Sequence, residues 1–322
     1  MTQASAAEYL AFGQIPFFRL PVAPIARGVP AGTGAVIVGV AFDGGVTYRP
    51  GARLAPFEVR RVSALVQGFH PAHGLAVFER LAAVDGGNVV FPPFDAAMVR
   101  GAVQASVAAI AGAGAVPFVV GGDHSVALPA LRAVAAQHGP VAVIHVDAHL
   151  DTSGPETWGE PFHHGTPFRH ALDEGLVAPG QLHQVGIRGS WGAAEDGDRA
   201  GSAGTRHGAD DVAVRGARAV ADELRAAIGD RPVYLSFDVD AVDPAFAPGT
   251  GTPVPGGLTS REALAFLRGL AGVRLAGMDV VEVSPPFDHA DLTSHLAAHL
   301  LFEGLALAAL AQERGAAGAR AS

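Results

Sequence analysis

The chain has 322 residues, 49% of them hydrophobic and 16% charged, and a formal net charge of −9. That acidic balance argues against nucleic acid as a partner. There is no cysteine, and all 22 basic residues are arginine, which excludes thiol nucleophiles, disulfides, Schiff-base lysines and Walker-type phosphate loops.

Residues 1–30 are proline-rich and carry Phe12, Phe17 and Phe18 as candidate anchors. They read as an N-terminal arm, with residues 31–322 forming one α/β domain. No basic cluster with an apolar core follows Met1, so no signal peptide is expected. No uninterrupted apolar run of about 18 residues is found, so no membrane helix is expected. The expectation is a soluble, cytoplasmic protein without membrane contact.

Ala35–Phe42 reads as the first buried strand, because its apolar run is nearly continuous, as in parallel sheets. A turn-rich loop follows through Arg53. A helix is expected over Pro56–Val66, a short edge strand at Ala82–Val84 and a helix over Arg100–Ala113. Ala115–Val120 is a strand that ends in Gly121-Gly122-Asp123-His124-Ser125, and Val126–Gln137 is helical. Val141–Val146 is a strand that runs into Asp147-Ala148-His149-Leu150-Asp151, and a loop then extends to His164. His183–Ile187 is a strand, residues 190–210 read as a surface excursion, and Val214–Ile228 is a helix. Pro232–Phe237 is a strand ending in Asp238-Val239-Asp240, followed by a Pro/Gly loop to Leu258. Thr259 and Glu262 form a capping-box pattern that opens a helix to Leu270. Leu275–Val283 is the last strand, with Glu282 near its end, and an apolar helix of about five turns closes the chain. Strands alternating with helices predict an α/β fold: three layers, α/β/α, around a mainly parallel sheet.

Four of the apolar runs end in ionisable residues, and in such sheets ligands bind at the carboxyl ends of the strands. One acidic residue at a strand end usually caps the next helix. Four runs sharing the feature, two of them with i, i+2 spacing, point to a site. In a strand, side chains at i, i+2 and i+4 project to one side, so Asp147, His149 and Asp151 are expected to project together. Three ionisable groups packed so closely need a cation to neutralise them. His124, Asp147, His149, Asp151, Asp238 and Asp240 supply two imidazoles and four carboxylates. A catalytic zinc takes about three protein ligands. Six suit two ions with shared carboxylates. Oxygen-rich ligation favours Mn²⁺ over zinc, with Ni²⁺ or Co²⁺ as substitutes. His145 is expected to face away from Asp147, and Asp123 and Asp243 to cap loops. Trp158 and Phe162 lie in the loop over the site, as a lid or as packing.

GGDHS at 121–125, DAHLD at 147–151 and SFDVDAVDP at 236–244 resemble the three signatures of the ureohydrolase superfamily, the arginases and agmatinases. HHGTPFR at 163–169, GTGTPVPGGLTSRE at 249–262 and MDVVEVSPPFDHADLTS at 278–294 resemble the agmatinase branch more than the arginases. That branch includes guanidinobutyrase, guanidinopropionase and proclavaminate amidinohydrolase. The resemblance implies an arginase-like fold and a binuclear manganese amidinohydrolase, with a metal-bridging hydroxide that cleaves a guanidino compound to urea and an amine. It implies one metal on His124, Asp147, Asp151 and Asp238, and a second on His149, Asp147, Asp238 and Asp240. Asp147 and Asp238 would bridge. Asp151 would handle the nucleophile's proton, His164 would shuttle one to the leaving amine, and Glu282 would grip the guanidinium with support from Thr252. It also implies a homo-oligomer, a trimer or hexamer. The chemistry is coherent: a guanidinium is a poor electrophile that needs a strong nucleophile, an orienting carboxylate and a proton for the leaving amine.

Agmatine is the favoured substrate, because the loop Thr152–His163 holds Glu156 and Glu160 and no arginine. A guanidino acid is the alternative, since Arg49, Arg53, Arg169 or Arg188 would be able to meet a carboxylate. A single-zinc deacetylase of similar fold needs fewer ligands than are present. An inactive regulatory subunit is expected to have lost a ligand or His164, and none is lost.

Overall fold

The computed structural model describes residues 15–191 and 200–321, with side chains to Gln312. Eight strands form one sheet: β1 Ala35–Gly39, β4 Ala83–Asn88, β5 Val116–Val120, β6 Val141–Val146, β7 Val177–Ile187, β8 Gly204–Gly208, β9 Pro232–Asp238 and β10 Arg274–Val281. Their order is β4-β1-β5-β10-β9-β6-β7-β8. Every pairing in this sheet is parallel. A separate antiparallel hairpin, β2 Phe69–His70 with β3 Leu75–Ala76, leads into the short helix α2 Val77–Arg80.

The strands' alternation splits the core in two. On one face Ile37, Ile144 and Val146 pack with helices α1 Ala55–Ser63, α7 Ala217–Ile228, α8 Ser260–Gly269 and α9 Leu292–Ala321. On the other, Val36, Val38, Val141 and Val143 pack with α3 Ala96–Gly112, α4 Ala127–His138 and α5 Pro167–Asp173. The fold is therefore the expected three-layer α/β/α. By length and composition, Leu292–Gln312 is apolar enough to cross a membrane, but 78% of the window is buried within the protein, where it forms a core helix.

Part of the expected N-terminal arm, Met1–Gln14 with Phe12, lies outside the described residues. The rest lies on the body. Phe17 and Phe18 are fully buried, and their backbone N–H groups donate to Asp85 Oδ2 and Ser63 Oγ. The Arg60 guanidinium covers the Phe17 ring, 4.1 Å from its centroid. The hairpin is tied to α9 by His70. Its Nδ1 accepts from the His73 N–H, so its Nε2 donates to Glu303 Oε2 at 2.8 Å, while Arg268 donates to Oε1.

Several elements differ from expectation, among them β7, which begins at Val177 and not at His183. The stretch 190–210, read as a surface excursion, contributes β8. Its sequence Gly-Thr-Arg-His-Gly has no apolar alternation, and an edge strand needs little. The helix expected over Val214–Ile228 is two, α6 Ala209–Arg215 and α7, broken at Gly216 with φ 86 and ψ 137. The hairpin and α5 were not anticipated, because both are too short for a periodic signal.

Candidate metal centre

β5, β10, β9 and β6 are neighbours in the middle of the sheet, and their registers put their ends level. Val120 pairs with Val280, Val281 with Asp238, and Val146 with Phe237. One step further along lie Asp123 and His124, Glu282, Asp240 and Asp147. The sheet thus gathers the residues from four distant stretches at one edge.

Local turns complete the gathering. The strand before Asp147 stops at Val146, so strand alternation does not align Asp147, His149 and Asp151 as expected. Instead Asp147 Oδ1 accepts from the His149 N–H at 2.6 Å, which folds the chain back on itself. Asp151 then takes a left-handed conformation, φ 49. Asp238 Oδ1 makes the same turn with the Asp240 N–H at 2.8 Å, and Asp123 Oδ1 with the Ser125 N–H at 2.9 Å. Glu282 is also left-handed, φ 63. For non-glycine residues this conformation costs on the order of 1–3 kcal/mol and concentrates at functional sites.

Two donor groups result. In the first, His124 Nδ1 lies 2.9 Å from Asp151 Oδ2, 3.1 Å from Asp147 Oδ2 and 3.3 Å from Asp238 Oδ2. In the second, His149 Nδ1 lies 3.0 Å from Asp240 Oδ2 and 3.4 Å from Asp147 Oδ1. Asp147 therefore offers one oxygen to each group. Asp238 reaches the first group directly through Oδ2, and its Oδ1 accepts from the Asp240 N–H as Asp147 Oδ1 does from the His149 N–H. His124 Nδ1 is buried and has no hydrogen-bond partner despite the three oxygens around it. That is the spacing of neighbouring ligands on one ion, each about 2.0–2.2 Å from it. Burial pushes the Asp238 carboxyl well above its usual range, and Asp240 and Asp147 push it further. Asp240 is raised for the same first reason. Divalent cations would relieve this crowding, so the donor set fits a binuclear metal site.

Behind the donors stands a second row. His124 Nε2 meets Ser236 Oγ at 2.8 Å, and Ser236 donates to Asp279 Oδ1 at 2.7 Å. Tyr234 OH donates to the other Asp279 oxygen at 2.6 Å. This chain holds the His124 ring with Nδ1 toward the carboxylates. His145 contradicts its expectation. It faces Asp147, with Nε2 2.7 Å from Oδ2, because residues two apart on a strand share a side. Gln184 Nε2 donates to Leu150 O and to His145 Nδ1, so the His145 proton sits on Nε2 and points at Asp147. Neither Gln184 nor Asp279 was anticipated. A carboxylate inside the apolar run of β10 was a visible signal for Asp279, since a buried charge needs partners.

At the rim, His164 Nδ1 lies 3.0 Å from Glu282 Oε1, and its Nε2 lies 2.8 Å from Thr47 Oγ1. Burial alone would lower the His164 pKa, but Glu282 outweighs it and raises the value to about 9. Glu282 Oε1 also accepts from the His124 N–H at 2.8 Å, leaving Oε2 buried without a partner. Thr252 donates to Asp240 Oδ2 at 3.3 Å, and so stands on the second donor group and not on Glu282. Asp123 accepts from the Gly45 and Ser125 N–H groups, and Asp243 from those of Ala245, Gly256 and Gly257, so both cap loops. Over the donors lies a cavity of about 300 Å³, lined by His149, Asp151, His164, Asp238, Asp240, Thr252 and an outer wall that includes Trp158 and Trp191.

The arginase family model matches residues 33–306. Proclavaminate amidinohydrolase of Streptomyces clavuligerus is 46% identical over 291 residues, 90% of this chain and 91% of the relative. Its solved structure aligns with a TM-score of 0.87 at 44% identity, covering 92% of this chain and 98% of the other. Guanidinopropionase of Pseudomonas aeruginosa is 42% identical over 97% of both chains. Mitochondrial agmatinase of Gallus gallus is 41% identical over 93% of this chain and 87% of the relative.

Proposed function

This chain belongs to the arginase family, and on that premise we propose that it cleaves a guanidino acid to urea and an amine. The acid would be of the guanidinobutyrate, guanidinopropionate or proclavaminate type. The observation that carries the reading is the convergence of six buried or half-buried metal donors on one sheet edge, beside the paired His164 and Glu282.

Two divalent cations, when bound, supply a hydroxide at neutral pH. His124, Asp147, Asp151 and Asp238 would hold one, and His149, Asp147, Asp238 and Asp240 the other, with Asp147 and Asp238 shared. The remaining work belongs to the side chains. Glu282 Oε2, an acceptor without a partner, orients a guanidinium N–H. Asp151 takes the proton lost by the nucleophile. His164, kept protonated at neutral pH by Glu282, donates a proton to the leaving amine.

In the sequence, the acidity of the loop Thr152–His163 favours agmatine. The geometry withdraws that support. Neither Glu156 nor Glu160 lines the cavity, and Glu160 accepts from the Phe162 N–H of its own loop. The carboxylates that do line it, Asp151, Asp238 and Asp240, are all metal donors, so none is left for a distal ammonium. Similarity to proclavaminate amidinohydrolase and guanidinopropionase supports an acid instead. Of the four arginines first considered, Arg53 pairs with Asp43, Arg169 with Asp173, and Arg188 donates to backbone carbonyls including Val254 O and Asp240 O. Arg49 rests on the rings of Tyr48 and Phe287. The acid's distal end would therefore be met by the Ser153, Thr157 and Ser190 hydroxyls.

The test is urea release by the Mn²⁺-loaded protein from 4-guanidinobutyrate, 3-guanidinopropionate, agmatine, arginine and guanidine. The expected outcome is a higher kcat/KM for the acids. A preference for agmatine would restore the first choice, and no urea from any compound, with Ni²⁺ and Co²⁺ also tried, would remove the amidinohydrolase reading.

A further inference from the structure

The chain has two tryptophans, and both line the cavity over the metal donors. They come from separate stretches. Trp158 lies on the loop after Asp151, and Trp191 lies beyond the end of β7. Trp158 is 64% exposed and Trp191 42%. Large rings are normally placed where their area is covered, so two uncovered indoles on one cavity wall mark a surface that a ligand covers.

The backbone that carries Trp158 is pinned, and the Trp191 ring is covered on one face. The Trp158 loop is stapled at its base, where the Ser153 N–H donates to Gly165 O and the His164 N–H donates to Gly45 O, each at 3.0 Å. At its tip the Gly159 N–H donates to Pro155 O at 2.7 Å. Trp191 has the Arg206 guanidinium over its ring, 4.7 Å from the centroid. One face of that indole is thus already covered by a side chain of the protein.

We propose that Trp158 and Trp191 form the specificity subsite for the substrate's tail, and that it takes a guanidino acid whose tail carries a planar ring or amide. This rests on the amidinohydrolase reading and refines its substrate. A short, linear acid would reach the metal donors but leave both indoles wet. A flat group stacks on them, while its carboxylate and carbonyl oxygens accept from the neighbouring hydroxyls and from indole N–H, which can only donate.

Because these are the chain's only tryptophans, indole fluorescence reports the subsite without any turnover. The metal-loaded protein is titrated with 4-(guanidinomethyl)benzoate, 3-guanidinopropionate and agmatine, with urea release measured on the same samples. The ring-bearing acid should quench the emission and should have the higher kcat/KM. In Trp158→Ala and Trp191→Ala its KM should rise about fivefold to tenfold, and its advantage over 3-guanidinopropionate should collapse. Trp158→Phe should keep most of that advantage, and metal content of two ions per chain would show that the variants fold. An advantage that survives both alanine variants, or a ring-bearing acid that neither quenches nor competes with 3-guanidinopropionate, overturns the subsite. Tryptophan-dependent preference for agmatine overturns its chemistry. Quenching without urea from any compound leaves the subsite standing and instead refutes the amidinohydrolase reading.

Discussion

Gln184 decides how His145 meets Asp147. Leu150 O can only accept, so Gln184 must turn its Nε2 toward it, at 2.8 Å, and the second amide hydrogen goes to His145 Nδ1. His145 is then a donor to Asp147 Oδ2 and not a metal ligand, although it stands among the first donor group. Gln184→Met keeps the volume and removes that control. Metal affinity should fall about 10–100-fold, the usual consequence of losing a partner behind a ligand. Calorimetric titration with Mn²⁺ measures it, and an unchanged Kd would mean that His145 needs no tautomer control. His164 carries the second residue-level consequence. Its folded pKa of about 9 lies above the ordinary histidine value, so the ion pair with Glu282 stabilises the protein fully below pH of about 6.5 and is lost as pH rises through 9. In Glu282→Gln the imidazole midpoint, followed by NMR, should move down. A midpoint that stays near 9 would show that Glu282 is not its cause. At this scale much was legible. The six donors and Glu282 stood at strand ends in the sequence, whereas His164 was named only through the resemblance of HHGTPFR. His145 was misjudged although its i, i+2 spacing from Asp147 stood in the sequence. Gln184 carries no motif, and its role depends on a carbonyl that only the folded chain brings near.

Helices and strands obey the apolar pattern wherever they are long and buried. β6, β9 and β10 stand close to their expected positions because their runs are nearly all apolar, and the Thr259–Glu262 capping box opens α8 as read. β8 has no such run and was missed. The break between α6 and α7 was missed because Gly216 reads as a tolerable helix residue until its dihedrals are known. Those dihedrals, φ 86 and ψ 137, lie where glycine alone is at ease. A Cβ at Gly216 would meet nothing within 4 Å, so the cost of Gly216→Ala is conformational and not steric. It should destabilise by about 1–3 kcal/mol. Urea unfolding should show a lower midpoint with an unchanged slope. An alanine variant as stable as the parent would mean that α6 and α7 can fuse into one helix.

The whole molecule adds what no single motif contains. Strands β5 and β10, and β9 and β6, are neighbours in space but not in sequence, and that adjacency puts four carboxylates within reach of two imidazoles. The order of the strands is a tertiary fact, so the motifs named the donors and the resemblance implied that Asp147 is shared, but the turns in which Asp147 and Asp238 accept from the His149 and Asp240 N–H groups come only with the fold. Such a site sets folding against itself. Burial raises Asp238 and Asp240, and without cations each charge there opposes the folded state. With cations the sign reverses, because an ion that binds only the folded chain stabilises it by about 2.7 kcal/mol at a hundredfold excess over Kd. Chelation with EDTA should therefore lower Tm markedly, and Mn²⁺ should restore it. Asp238→Asn separates the two terms. It removes one buried charge, so without metal its Tm should exceed that of the parent. It also removes a donor, so with saturating Mn²⁺ its Tm should fall below the parent's. The two melting series must cross. If Asp238→Asn lies below the parent in both, the carboxylate stabilises the fold by itself, and charge crowding is not what metal relieves.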